Sequence, residues 1–276
     1  MTVQEALMLG TRLLNEAGIE NAARDARRLM AALLDMDPGR LTLVAQDPFD
    51  PLIEENFISA ILERKQRRPL SHLLGYRDFY GHRFSVSSDV LDPRPETETL
   101  IDAALADPFE RVLDLGTGSG CIVLSLLAER AGATGLGTDI SDAALSVAQR
   151  NAEALDLTGR CSFAVSHWLS EVDGQFDLIV SNPPYIALSE MAGLAPELGF
   201  EPRLALTDEQ DGLVAYRLIT RQVGAHLTPG GRLMVEIGAG QGAAVSQLFE
   251  SAGLCHVCIL PDLDNRDRVV VGRKGV

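Results

Sequence analysis

The chain has 276 residues, 46% of them hydrophobic and 23% charged, enough for one large domain and a smaller one around a sizeable core. Its net charge of −15 is uneven: residues 91–276 hold 13 basic and 26 acidic side chains, residues 1–90 hold 11 and 13. Nucleic-acid binding needs a basic surface to neutralise phosphates, so this balance weighs against it, although a local basic patch stays open. No run of about 18 apolar residues is present to span a membrane. The start, Met1 to Leu9, has no basic region, so no secretory signal is expected. Four cysteines (Cys121, Cys161, Cys255, Cys258) make no disulfide framework at this length. A soluble, cytoplasmic protein is expected.

Residues 3–35 carry apolar side chains at helical spacing, with Gly18 as a break and a second helix over about 21–34. A third helix, over 51–66, opens with Pro51, which suits a first turn. No strand pattern precedes residue 72. Residues 72–93 alternate apolar and polar side chains around Gly75 and Gly81 and predict a β-hairpin linker. Three parts follow: a helical domain over 1–70, the linker over 71–93 and a second domain over 94–276. In that last part, strands are predicted at 111–115, 134–138, 161–165, 176–180, 231–237, 254–260 and 267–272. Helices are predicted at 96–106, 119–131, 141–154, 210–226 and 240–252. This alternation predicts an α/β fold with a mostly parallel sheet covered on both faces. The last two strands are joined only by "PDLDNR", too short for a parallel crossover, so they should be antiparallel.

"RVLDLGTGSGCI" places Asp114, Gly116, Thr117, Gly118 and Gly120 between a buried strand and a helix. Ligands of open α/β sheets bind at the carboxyl ends of strands, and glycines let backbone approach them closely. The spacing G-x-G-x-G departs from the dinucleotide fingerprint. An acid two residues before the first glycine suits a cationic ligand better than a pyrophosphate. S-adenosylmethionine carries a sulfonium and an ammonium and no phosphate. Asp139, followed by Ile140, ends the next strand, where a carboxylate can accept hydrogen bonds from ribose hydroxyls. The plainer alternative is a tight strand-to-helix turn, with Asp139 capping the next helix.

"SNPPYIALSE" follows the apolar run 176–180. Asn182 and Pro183 both precede proline, which pushes them to extended conformations, and neither proline brings an N–H. The Asn182 side-chain oxygen and the Pro183 carbonyl can then act as two fixed acceptors for a planar –NH2 group. Tyr185 offers a ring face on which that group can stack. Such an arrangement presents a poor nitrogen nucleophile to an activated methyl. The alternative is a Pro-Pro loop that only terminates a strand.

"DLGTGSG", "DIS", "NPPYI", the N-terminal helices and "PRPETE" (Pro93 to Glu98) together resemble the protein-(glutamine-N5) methyltransferases that act on peptide chain release factors. "EPRLAL" (Glu201 to Leu206) and "DGL" (Asp211 to Leu213) narrow the resemblance, which runs from about residue 5 to 272. It implies a class I methyltransferase (Rossmann-like) seven-stranded sheet and a substrate glutamine in the Gly-Gly-Gln loop of release factors. Carried over, Asn182, Pro183, Pro184 and Tyr185 would hold the glutamine amide. Asp114, the Gly116–Gly120 loop, Asp139, Ile140, Trp168 and Asn182 would hold S-adenosylmethionine. His167 stands where family members often have an acid before the Trp. The helical domain would recognise the protein substrate. No nucleic acid, no membrane and a monomer are expected. The competing readings are an amino methyltransferase acting on nucleic acid and a non-catalytic module that keeps the fold.

Other motifs carry less. "CHVC" (Cys255 to Cys258) lacks a second pair to complete a zinc site, so no metal is expected. "EIGAGQG" (Glu236 to Gly242) reads as a strand-to-helix turn. "ERKQRRP" (Glu63 to Pro69) suits the end of a helix, and could also dock a partner.

Overall fold

The computed structural model describes all 276 residues, Met1–Val276, and the chain divides into two units. The first comprises Met1–Tyr76 together with Ala195–Phe200; the second comprises Arg77–Leu194 and Glu201–Val276. No helix is long and apolar enough to cross a membrane.

The first unit is helical: α1 Val3–Glu16, α2 Ala22–Leu33, α3 Pro51–Lys65 and the short α4 Leu70–Leu74. Thr2 and Glu5 form a capping box that satisfies free N–H groups at the start of α1. Pro51 occupies the first turn of α3, and Asp50 caps it by accepting from the Leu52 N–H at 2.7 Å. Val3, Ala6, Leu14, Leu29, Met30, Phe57 and Ile61 form the core of this unit.

The basic run at the end of α3 is committed internally. Arg64 pairs with Asp25 at 2.8 Å and Glu197 at 3.2 Å. Arg67 reaches Glu197 at 3.3 Å and donates to the Ala17 carbonyl at 2.9 Å. Arg68 pairs with Glu63. These side chains tie residue 197 to the helices, which accounts for most of the run without a partner.

The remaining elements begin with the hairpin β1 Tyr76–Phe79 and β2 His82–Ser85. Then come α5 Glu98–Leu105, β3 Arg111–Leu115, α6 Cys121–Glu129, β4 Thr134–Asp139, α7 Asp142–Ala154, β5 Cys161–Val165 and β6 Phe176–Ser181. The chain ends with α8 Arg203–Leu206, α9 Val214–His226, β7 Leu227–Glu236, α10 Gly242–Ser251, β8 Leu254–Pro261 and β9 Asp267–Lys274. The seven-stranded sheet has the order β5-β4-β3-β6-β7-β9-β8. The first five strands are parallel, and β9 runs antiparallel to both of its neighbours.

Alternate residues of each strand face opposite sides, and the two cores follow that period. Val112, Leu178, Val180 and Met234 pack with Leu100, Ile101, Val123 and Leu127 on one face. Leu113, Ile179, Leu233 and Val235 pack with Tyr216, Ile219, Val245 and Phe249 on the other. The hairpin is anchored as well: Phe79 and Phe84 join the first of these cores. Asn151 on α7 accepts from the Ser85 N–H at 2.7 Å and donates to the Ser85 carbonyl at 3.1 Å.

Cys255 and Cys258 flank a register shift between β8 and β9, and all four cysteines are free. No group of His, Cys, Asp and Glu is arranged to hold a metal ion.

Candidate active site

β3, β4 and β6 lie together near the middle of the sheet, and their carboxyl ends open on one cleft of about 330 Å3. That volume falls within the range of small-molecule sites. Its walls include the glycine loop after β3, the end of β4, the turn carrying Trp168 after β5 and Asn182–Pro184 after β6, together with the segment before α5 and residues from α8 and the start of α9.

Gly116, Gly118 and Gly120 all have positive φ, between +54° and +79°, where a side chain would be strained. The loop is held from below and from the side. The Thr117 N–H donates to the Thr138 carbonyl at 2.8 Å, and the Gly118 N–H donates to Asp139 Oδ2 at 2.9 Å. Asp139 Oδ1 accepts from the Ser141 N–H at 3.0 Å. The helix cap of α7 is Ser141, whose hydroxyl accepts from Ala144, so Asp139 braces the loop and still faces the cleft. Beside it, Ile140 lines the cleft and is half exposed, a large apolar side chain left for a ligand to cover.

Asp114 lies beneath this loop rather than on the cleft wall. It is fully buried; its Oδ2 accepts from Thr117 Oγ1 at 2.7 Å and from the Val123 N–H at 3.3 Å. Its Oδ1 is buried with no partner. Burial pushes the carboxyl up to about 7, against the two hydrogen bonds, which favour the charged form.

Trp168 adopts a φ of +57°, and its indole lies over Gly116: a Cβ added there would meet the ring at 3.6 Å. His167 is exposed on the cleft wall, and its N–H donates to Glu171 Oε2 at 2.9 Å.

Ser181 fixes the end of β6 by donating to the Leu115 carbonyl at 2.7 Å. From there Asn182 enters the cleft, and its Nδ2 donates to Thr97 Oγ1 at 3.2 Å. Thr97 in turn donates to Glu236 Oε2 at 2.6 Å. Pro183 and Pro184 also line the cleft, but Tyr185 does not. The Tyr185 ring sits behind the wall, beside Gly238, and its carbonyl accepts from Gln241 Nε2 at 2.9 Å. Burial pushes its hydroxyl up to about 12. The expected stacking face is thus turned into the second core, because the turn after β7 claims the ring.

Comparison with known proteins bears on what this cleft belongs to. Residues 5–75 match the PrmC N-terminal domain and residues 84–196 the Methyltransferase small domain. A release factor glutamine methyltransferase from Cereibacter sphaeroides is 54% identical over 274 residues, covering 99% of both chains. One from Rhodospirillum rubrum is 45% identical, covering 98% of this chain and 86% of that one. The chain belongs to the release factor glutamine methyltransferase family. The fold agrees with that membership. A methyltransferase from Pyrococcus furiosus superposes with a TM-score of 0.56 at 17% identity, covering 80% of this chain and 100% of that one. A T. thermophilus 16S rRNA methyltransferase crystallised with AdoMet and guanosine superposes with a TM-score of 0.50 at 20% identity, covering 72% of this chain and 49% of that one.

Three side chains that were assigned no role from the sequence, although they lie inside quoted motifs, also reach the cleft region of this family member: Arg94 and Thr97 of "PRPETE" and Glu236 of "EIGAGQG". Thr97 and Glu236 stand behind Asn182, as described. Arg94, on the cleft wall, pairs with Glu201, which also accepts from the Asp92 N–H at 3.3 Å. Burial raises the Glu201 carboxyl above its ordinary value, opposed by the Arg94 guanidinium. A usable signal existed for Glu236. A glutamate ending the apolar run 233–235, like the aspartate in "VLDLG", marks a charge carried into a sheet interior.

Proposed function

We propose that Asn182 and Pro183 hold the side-chain amide of a release-factor glutamine, in the Gly-Gly-Gln motif, while a methyl group passes to its nitrogen from S-adenosylmethionine. The cleft suits that cofactor. Asp139 offers carboxylate oxygens to hydroxyl groups, Ile140 and Trp168 offer apolar surface to a planar base, and Asp114 sets under the glycine loop a carboxyl that a bound cation would hold in its charged form. The orphaned Asp114 Oδ1 favours a nearby cation and would oppose a pyrophosphate. When bound, S-adenosylmethionine supplies an electrophilic methyl group whose bonding pair leaves with the sulfur as S-adenosylhomocysteine.

The chain's own residues then have defined tasks. Asn182 Oδ1 and the Pro183 carbonyl accept the two amide N–H groups and aim the nitrogen. Orientation of this kind can supply a large share of a barrier reduction. As the nitrogen gains a carbon, positive charge grows on its hydrogens, and the fixed acceptors stabilise it. The new N–C bond costs the nitrogen one proton, which passes to water. The helices of residues 1–70 act in recognition of the release factor. We assign no nucleic-acid substrate, no membrane role and a monomeric, cytoplasmic enzyme.

The observation that carries this reading is the fixed amide of Asn182, pinned through its Nδ2 beside the glycine-loop cleft. Asn182→Ala is expected to lower turnover roughly 10²–10³-fold, the usual cost of one pre-aligned polar group, with cofactor affinity nearly unchanged. Initial rates with purified release factor and tritiated S-adenosylmethionine, with peptide mapping of the product, measure this. Methyl transfer to RNA or DNA in the same assay, and none to release factor, would replace the substrate assignment.

A further inference from the structure

We infer that Thr97 and Glu236 form a positioning pair that dictates which end of the Asn182 amide faces the substrate. The inference rests on the reading of Asn182 given above. An asparagine amide has two ends of nearly equal shape, one an acceptor and one a donor, and its orientation is set by its hydrogen-bond network. If the donor end faced the cleft, it would meet the –NH2 group of the glutamine with like-polarity hydrogens, and no acceptor would remain there.

The network decides the matter through a single proton. Thr97 is 2% exposed, and its hydroxyl has one hydrogen. That hydrogen goes to Glu236 Oε2 at 2.6 Å, the shorter of the two contacts. Towards Asn182, 3.2 Å away, Thr97 Oγ1 can therefore only accept. It selects Nδ2 as its partner and turns Oδ1 away, towards the substrate. The Glu236 carboxylate is what draws the threonine proton backwards. Were Oε2 protonated, it would donate to Thr97. The threonine hydrogen would then be free to point at Asn182 and favour the opposite amide orientation.

The surroundings of Glu236 come from several elements. Its side chain is fully buried at the end of β7. Burial raises its carboxyl to about 7. Thr97, Arg268 from β9 and the Tyr185 hydroxyl favour the charged form, and Glu96 opposes it. Tyr216 from α9 donates to the Glu236 backbone carbonyl at 2.8 Å, and Cys121 from α6 feels the same carboxylate. The sign follows from these directions: the acceptor form is lost as pH falls below about 7, and productive orientation of Asn182 is lost with it.

The test compares Thr97→Val, Thr97→Ser, Glu236→Gln and Asn182→Ala, each full-length and checked by thermal unfolding. Valine keeps the shape of threonine without the hydroxyl, and serine keeps the hydroxyl. At saturating substrates, Thr97→Val should lower kcat about 10- to 100-fold, while Thr97→Ser keeps most of the rate. The affinity of both variants for S-adenosylmethionine should match that of the wild type. Release factor binding in the presence of S-adenosylhomocysteine, which reports substrate positioning without turnover, should weaken in Thr97→Val and not in Thr97→Ser. The wild-type kcat should decline as pH falls below about 7, and Glu236→Gln, which cannot titrate, should show no such decline. If Asn182→Ala is inactive while Thr97→Val turns over like the wild type, the pair does not position Asn182. An acidic decline that persists in Glu236→Gln overturns the role of that carboxylate. Should Thr97→Val not fold, the pH profiles of the wild type and Glu236→Gln decide. If Asn182→Ala itself keeps its rate, the reading of Asn182 fails, and the pair loses its purpose with it.

Discussion

Asp114 is fully buried beneath the glycine loop, with one oxygen hydrogen-bonded and one left over. Burial alone would keep such a carboxyl neutral, and at about 7 it is close to balance in the free protein. A bound sulfonium or ammonium would tip that balance towards the carboxylate. Binding and ionisation are therefore linked, and the sign is fixed: cofactor affinity should fall as pH drops below about 7. The limiting slope for one linked proton is about tenfold per pH unit. Calorimetric titration of S-adenosylmethionine from about pH 8 down to about pH 5.5 checks this. Asp114→Asn should flatten the dependence and leave affinity near the low-pH value. The position of Asp114 was readable from "VLDLG", because an acid inside an apolar strand has to be structural or functional. Its place below the loop rather than on the wall was not, since sequence spacing does not tell whether a strand-end side chain meets ligand or loop. Tyr185 went the same way: its ring was expected in the cleft, and the carbonyl and ring contacts to Gln241 and Gly238 draw it behind the wall. Thr97 and Glu236 lie 139 positions apart and meet only because the end of β7 reaches the segment before α5.

The glycine loop and α6 form the element on which one wall of the cleft depends. Gly120 is the N-cap of α6, with a φ of +79°. A Cβ there would stand 3.0 Å from Leu124 Cδ1 and 3.2 Å from Ala148 Cβ, so the residue is required both by its backbone and by the approach of α7. The left-handed conformation costs a residue with a side chain about 1–2 kcal/mol, before any crowding. Gly120→Ala should therefore lower unfolding free energy by about 1–3 kcal/mol in urea titrations and weaken cofactor binding. A variant as stable as the wild type would mean that the loop can relax without this glycine. Elements of this kind were legible where a hydrophobic period was long enough. The strands from 111 to 181 and the long helices stand within a few residues of their expected bounds. Shorter pieces were not: the 3-10 turns at Pro38–Val44, Leu188–Gly193 and Pro196–Phe200, and the single turn of α8, have too few residues to express a period. β7 also begins earlier than its apolar run, at Leu227, because a register shift against β6 lets the chain pass through Pro229 and two glycines while still pairing Phe176 with Leu227.

For the whole molecule, the question is how an enzyme with so small a target selects it. A glutamine side chain offers one amide, and the contacts proposed at Asn182 and Pro183 could not by themselves distinguish one glutamine from thousands. Selection therefore needs contacts away from the reacting nitrogen, and binding energy gained there can also serve orientation. The cleft is lined by residues of the second unit alone, between Asp89 and Leu218. The helical unit has its own core and its own ion-pair cluster at Arg64, Asp25 and Glu197, none of which the chemistry uses. That separation makes the helices available for recognition. A chain beginning at Arg77, which keeps residues 195–200 but frees Glu197 from its arginines, should bind S-adenosylmethionine with near-normal affinity. With intact release factor its kcat/KM should fall by at least about tenfold, because the lost contacts act on both affinity and orientation. Circular dichroism and cofactor titration establish that the shortened chain is folded. Initial rates with full-length release factor, set against rates with a short Gly-Gly-Gln peptide, then locate the loss. Recognition by the helices predicts that the penalty is confined to the intact factor. A folded chain that methylates intact release factor at the full-length rate would place all selection in the second unit.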